Sequence, residues 1–200
     1  MLWNVTELPL EGQPRPERAD AARNRRRVLD AARRLFDAHG VAAVPMSDVA
    51  REAGVAKGTI FHRFGDRQGL AQALVDDAER ALQDAVLRGP PPLGPGAPPE
   101  ERLVAFLDAL LSLGSEHRDL LLEIDSAGPA ARHRTGAYRA WLQHIAYLLG
   151  DVPDPALAAH ALLAPLAPEL LFHLQEDEGR DPSELRPVVF ALARGLLSEA

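Results

Sequence analysis

Residues 46–64 read MSDVAREAGVAKGTIFHRF, and their pattern decides the fold. Met46, Val49, Ala50 and Ala53 recur at the spacing of one helical face, so a short helix carries one apolar stripe. Gly54 follows the stripe, where a chain turns sharply without a Cβ penalty. Val55 then returns toward the core, and a second short helix runs from about Lys57 to Arg63, with Ile60 and Phe64 as further core residues. Helix, tight turn, helix is the layout in which the second helix enters a DNA major groove. DNA binding is therefore the leading reading.

Outward from this stretch the chain stays helical. Helix 1 is expected from about Ala19 to His39, with Val28, Ala32, Leu35 and Phe36 inside and Gly40 as its stop. Pro45 suits the first position of the following helix, where a missing N–H costs little. Asp66 reads as the N-cap of a helix that reaches about Arg88 and turns Leu70, Ala73 and Leu74 inward. The run GPPPLGPGAPP at 89–99 is a loop that no helix crosses. Beyond it, Leu103, Phe106, Leu107, Leu110 and Leu111 form a helical stripe, and a shorter helix is expected over 117–125. Tyr138, Trp141, Leu142, Ile145, Leu148 and Leu149 form the next stripe. Asp154-Pro155 opens a helix toward Leu174, in which Pro165 and Pro168 predict a kink or break near 164–168. Asp181 with Glu184 has the spacing of a capping box, ahead of a last helix lined by Leu185, Val188, Val189, Leu192 and Leu196. Nothing alternates as a strand, so the expected class is all-α, with about nine helices.

The charge is unevenly placed. The whole chain carries −7, which alone argues against nucleic acid. Residues 14–70, however, hold twelve Arg/Lys against seven Asp/Glu, a net +5, while residues 71–200 hold ten against twenty, a net −10. A basic N-terminal part on an acidic body fits a DNA-binding head on a regulatory domain. Cysteine is absent, which removes disulfides and thiolate metal sites. No HExxH, no GxSxG and no phosphate-binding Gly loop occurs, and His160 and His173 stand too far apart in sequence to suggest one metal site. No catalytic residue, metal ligand or cofactor is expected. Neither a signal peptide nor a membrane span is expected, and the expected compartment is the cytoplasm.

In order, spacing and residue type, RVLDAARRLFDAHG followed by SDVAREAGVAKGTIFHRFGDRQGL resembles the tetracycline-repressor (TetR) family of bacterial regulators over about residues 23–75. Pro9, Pro14 and Pro16 with mixed charge mark residues 1–17 as a disordered arm; the resemblance implies a three-helix DNA-binding head over 18–66 and a helical effector-binding and dimerisation domain over 67–200. It implies a homodimer that grips double-stranded operator DNA of palindromic sequence, and a small-molecule effector whose binding spreads the heads and lowers operator affinity. Carried over by position, Lys57 and Thr59 meet base edges or phosphates, and Gly58 allows close backbone approach. His62 and Arg63 face the DNA backbone, and Arg67 meets a phosphate beside the start of its helix. Phe61 stands where a Tyr is frequent, so a phenolic hydrogen bond is lost while packing on sugar or a thymine methyl remains. Pro45 stands where a Ser or Thr is frequent, and Ser47 is the substitute. Arg25, with Arg26 and Arg27, either meets phosphate or forms part of a solvated face. The two departures leave open an alternative, a helical dimer with a degenerate head that lacks specific DNA binding.

In the second half the sequence is less specific. Phe106, Tyr138, Trp141, His144, Tyr147 and His173, with Glu123 and Asp125, are candidates to line an effector pocket. The scarcity of aromatics favours an apolar effector. Leu166, Leu170, Leu174, Leu185, Val189, Leu192 and Leu196 are the expected dimer seam; a monomer using them as core is the other possibility.

Overall fold

The computed structural model describes residues 16–126 and 132–198, and within them the regular structure is all helical, without a strand. Contacts divide it into two compact units, Met1–Arg63 and Phe64–Ala200.

The first unit contains α1 (Pro16–His39), α2 (Met46–Ala53) and nearly all of α3 (Lys57–Phe64). Helix α1 starts three residues before the expected Ala19. Pro16 stands at its first position, where the missing N–H is not needed. The helix therefore takes the last two residues of the expected arm, and the rest of that arm lies outside the described residues. Val28, Leu29, Ala31, Ala32 and Phe36 are buried on α1, while Leu35 is only half-buried. Gly40 ends the helix at φ 79°, its N–H bonded to the Phe36 carbonyl at 2.8 Å. Pro45 is the residue before α2 rather than its first one: its backbone is extended (φ −70°, ψ 145°) and its carbonyl accepts from Asp48 N–H at 3.0 Å. All four residues of the α2 stripe are buried. Gly54 then takes the left-handed conformation (φ 64°, ψ 40°), and Val55 N–H reaches back to the Ala50 carbonyl at 3.0 Å. Arg34 on α1 and Glu52 on α2 pair at 3.0 Å across the exposed side of the unit.

The second unit is built from α4 (Arg67–Arg88), α5 (Pro99–Glu116), α6 (Arg118–Asp125), α7 (Gly136–Leu149), α8 (Pro155–Leu163), α9 (Pro168–Phe172) and α10 (Leu185–Ser198). Asp66 caps α4 as expected, its carboxylate accepting from Gly69 N–H at 2.8 Å. Leu103, Phe106, Leu107 and Leu110 of α5 pack with Ile145, Leu148 and Leu149 of α7, Leu162 of α8 and Val189 of α10 in one core. A smaller cluster of Ala71, Val75 and Ile124 joins α4 to α6. Arg186 on α10 reaches Asp108 at 2.5 Å and the Ser112 hydroxyl at 3.1 Å, tying the last helix to α5.

Between α8 and α9 the expected break is present. A 3-10 turn (Ala164–Leu166) carries Pro165, and Ala167 is extended at φ −63°, ψ 131° before Pro168 opens α9. A π turn (His173–Asp177) follows. One helix of the sequence reading is thus two, which brings the α-helices among the described residues to ten. The stretch Pro155–Asp177 is long and apolar enough to cross a membrane by length and composition, with a mean hydropathy of 1.4. It is nonetheless interrupted at Ala167, and Leu162, Leu163 and Leu171 are buried within the unit. Asp181 and Glu184 form the expected capping box, which here heads a 3-10 turn leading into α10.

Candidate nucleic-acid interface and ligand cavity

Eight residues of α3 sort into two sides. Ile60 is fully buried and Phe64 half-buried, which sets the inward edge of the helix. Lys57, Gly58, Thr59, Phe61, His62 and Arg63 are exposed. The Lys57 ammonium stands 5.6 Å from the Phe61 ring centre, within cation–π range. Nothing lies within 4 Å of where a Cβ on Gly58 would be, so the backbone there is open to an approaching surface. Ser47 on α2 is exposed as well.

Two of the arginines are engaged within the unit. Arg63 turns back and donates to the Ala21 carbonyl of α1 at 2.8 Å. Arg27 covers the turn between α2 and α3: a Cβ added to Gly54 would meet its guanidinium at 2.7 Å. Arg26 is exposed and Arg25 half-buried, so the run at the front of α1 is not one uniform face. In the second unit, Arg67 is the first residue of α4. It is half-buried, and its Nε is buried without a hydrogen-bond partner among the described residues. The tight turn ahead of it depends on Gly69, where a Cβ would fall 1.9 Å from the Phe64 carbonyl oxygen. The sequence reading missed this glycine.

The second unit holds a cleft of about 260 Å³ walled by α4, α5 and α7, and a smaller adjoining space of about 50 Å³. Phe106, Trp141 and His144 line the larger cleft, and Tyr138 and Trp141 the smaller. Four of the six expected pocket residues therefore converge. Two do not: Tyr147 is 73% exposed, and His173 is exposed and paired with Asp177 at 2.7 Å and Glu178 at 3.2 Å. A residue on the solvent side of its helix cannot face a cleft on the other side, and spacing alone did not separate Tyr147 from Trp141. Glu123 and Asp125 line neither space. The wall that sequence reading missed is α4, which supplies Asp76, Glu79, Arg80 and Gln83.

The lining has a marked electrostatic character. Burial, then the Asp76 carboxylate, push the Glu79 carboxyl up to about 7, against a smaller opposing pull from Arg80. Burial, reinforced by Arg102, holds the His144 imidazole below its ordinary range and so neutral. The His144 ring meets Phe106 edge-on at 4.8 Å, and its Nε2 is buried without a hydrogen-bond partner among the described residues. Tyr138 bonds through its hydroxyl to His160 Nδ1 at 3.2 Å, linking α7 to α8.

The expected seam residues divide. Val189 is 1% exposed and belongs to the core of its own chain, and Leu185 and Leu196 pack partly against that core. Leu166 also packs there and lines the smaller cavity, while Leu170 and Leu174 are half-buried. Leu192 is 50% and Val188 55% exposed. With Ala191, Gly195 and the edge of Leu196, they line a shallow apolar cleft along α10.

A two-unit helical chain whose first unit ends in an outward-facing helix after a glycine turn has the build of a helix-turn-helix regulator. Residues 28–74 match the family model for bacterial regulatory proteins of the tetR family. TtgW of Pseudomonas putida, an uncharacterized HTH-type transcriptional regulator, is 31% identical over 64% of this chain and 95% of its own length. The match spans less than two thirds of several other curated regulators. Among solved structures, FadR of Bacillus subtilis in complex with stearoyl-CoA covers 84% of this chain and 96% of its own at 18% identity and a TM-score of 0.60. A regulator from Saccharomonospora viridis in complex with choline covers 86% and 96% at 21% identity and a TM-score of 0.64. The chain belongs to the TetR family of DNA-binding transcriptional regulators.

Proposed function

We propose that the protein is a sequence-specific repressor that acts as a cytoplasmic homodimer on a palindromic operator and is released by a small, largely apolar effector. The observation that carries the reading is the exposed row on α3. Ile60 is fully buried beneath it, while Lys57, Gly58, Thr59, Phe61 and His62 are left to the outside. In this reading Lys57 and Thr59 touch base edges or phosphate, and Phe61 packs on sugar or a thymine methyl. Ser47, His62 and Arg25 hold the backbone. Arg63 joins them on releasing the Ala21 carbonyl, and Arg67 answers a phosphate from the first turn of α4. The Leu192 side of α10 meets its counterpart in a second copy. The effector occupies the cleft of the second unit, and its differential affinity for two arrangements of the dimer sets operator affinity. The two solved neighbours hold chemically unlike ligands, so what this chain takes is set by its own lining.

The test is a binding titration of the purified protein on its own upstream intergenic DNA against a shuffled control at physiological salt. Tight, selective binding that weakens steeply with salt is the expected result. Equal weak binding to both DNAs favours a second reading, a helical dimer with a degenerate head. Three features support it: Pro45 offers no hydroxyl, Phe61 lacks one, and Arg63 is engaged by Ala21.

A further inference from the structure

We propose that the cleft between α4 and α7 takes a monovalent organic cation with an aromatic or apolar body, and that the Glu79 carboxylate is its counter-ion. The proposal rests on the reading of this cleft as the effector site.

Glu79 and Trp141 each line both the larger and the smaller space, so they stand where the two meet. The other charged groups of the wall are satisfied among themselves. Asp76 accepts from Gln72 at 2.8 Å and pairs with Arg80 at 3.8 Å, and Arg80 also pairs with Asp77 at 2.9 Å. Two carboxylates thus share the one guanidinium. Glu79 is left without a hydrogen bond or ion pair among the described residues, although it is partly buried. A partly buried carboxylate with no hydrogen-bond partner, open to the cleft, keeps a desolvation cost that a cationic ligand relieves.

The remaining walls favour the same ligand. Besides the acidic groups and Arg80, the titratable side chains among the described residues lining the two spaces are His144 and Tyr138, and the Tyr138 hydroxyl is bonded to His160. Burial and Arg102 keep His144 neutral, so it does not compete as the cation for Glu79. Helix α5 supplies only uncharged residues to the two spaces, such as Phe106 and Leu110, and α6 supplies Leu121 and Ile124. An anion would meet Asp76 and Glu79 together. A cation finds one free carboxylate, the indole of Trp141 for a cation–π contact, and apolar surface for its body.

The carboxyl of Glu79 sits near 7 in the free protein, so a cation that needs it ionised binds more tightly as pH rises through neutrality. The test uses the full chain and three probes of similar size. These are benzyltrimethylammonium, its neutral carbon isostere neopentylbenzene, and the anion 3-phenylpropionate. Binding is read by calorimetry at pH 6 and pH 8. We expect the cation to bind at least about tenfold tighter than either companion at pH 8, and about tenfold more weakly at pH 6. Glu79→Gln should lose about tenfold at pH 8 and flatten the pH dependence. Glu79→Asp, which keeps the charge, should retain most of the affinity, and thermal melting of both variants checks their folding. Equal binding of the neutral isostere, preference for the anion, or an unaltered Glu79→Gln would each overturn the cation while leaving the cleft an effector site. Failure of all three probes to bind would overturn the cation and the site together.

Discussion

The Lys57 ammonium lies over the Phe61 ring, 5.6 Å from its centre, on the exposed side of α3. The contact joins the first turn of the helix to the next and holds a flexible four-carbon stem in one sector. An exposed cation–π pair contributes about 0.5–1 kcal/mol to such ordering. Lys57→Ala should therefore weaken operator binding about tenfold and lower the salt slope by about 1, while shifting unfolding free energy by less than about 1 kcal/mol. Fluorescence anisotropy across a salt series together with urea denaturation measures both.

Gly58 and Gly69 should respond oppositely to the same substitution. A methyl on Gly58 meets nothing within 4 Å, so Gly58→Ala should leave the fold unchanged or stabilise it by about 0.5 kcal/mol. Its effect should be on DNA affinity. A methyl on Gly69 falls on the Phe64 carbonyl, so Gly69→Ala should cost about 2 kcal/mol or more as the turn is forced open. Denaturation curves of the two variants, run side by side, decide the matter.

Glu79 gives the second unit a pH signature. Its folded carboxyl sits at about 7, above its ordinary value of 4.5, so between those values the folded state holds a proton that the unfolded state has lost. Stability from this group is full below about 4.5 and is lost as pH rises through about 7. Because the side chain is only partly buried, the loss is discounted to about 1–2 kcal/mol. Glu79→Gln should abolish it, as urea unfolding at pH 5, 6, 7 and 8 would reveal.

Much of this was legible in the sequence because it is local. The stripe at Met46, Val49, Ala50 and Ala53, the turn at Gly54 and the cap at Asp66 each depend on residues within a few positions of one another. Pro165 and Pro168 likewise predicted the interruption at Ala167, since a proline acts on the carbonyl four residues back. What remained hidden needs a second helix to define it. Nothing within α4 says that Glu79 lines a cleft shared with Trp141. Val188 and Val189 are equally apolar, yet one residue of helical rotation puts the first at 55% exposure and the second at 1%. Gly69 passes for an ordinary helical residue until the Phe64 carbonyl is set against it.

That rotation supplies a test of assembly. Leu192→Asp changes a side chain already half in solvent and should convert dimers to folded monomers, read by light scattering with an unchanged helical spectrum. Val189→Asp places an unpaired charge inside one chain's own core and should unfold it, at a cost of several kcal/mol. A wild-type dimer from Leu192→Asp would move the seam off α10.

Lys57 is the only lysine in the chain. An amine-selective reagent thus finds a single ε-amino group to acylate, and it lies on the outward side of α3. Covalent labelling, followed as one mass increment distinguishable from the chain's amino terminus, becomes a direct gauge of whether that surface is covered. The molecule carries its own footprinting handle at the place where occupancy has the most to report.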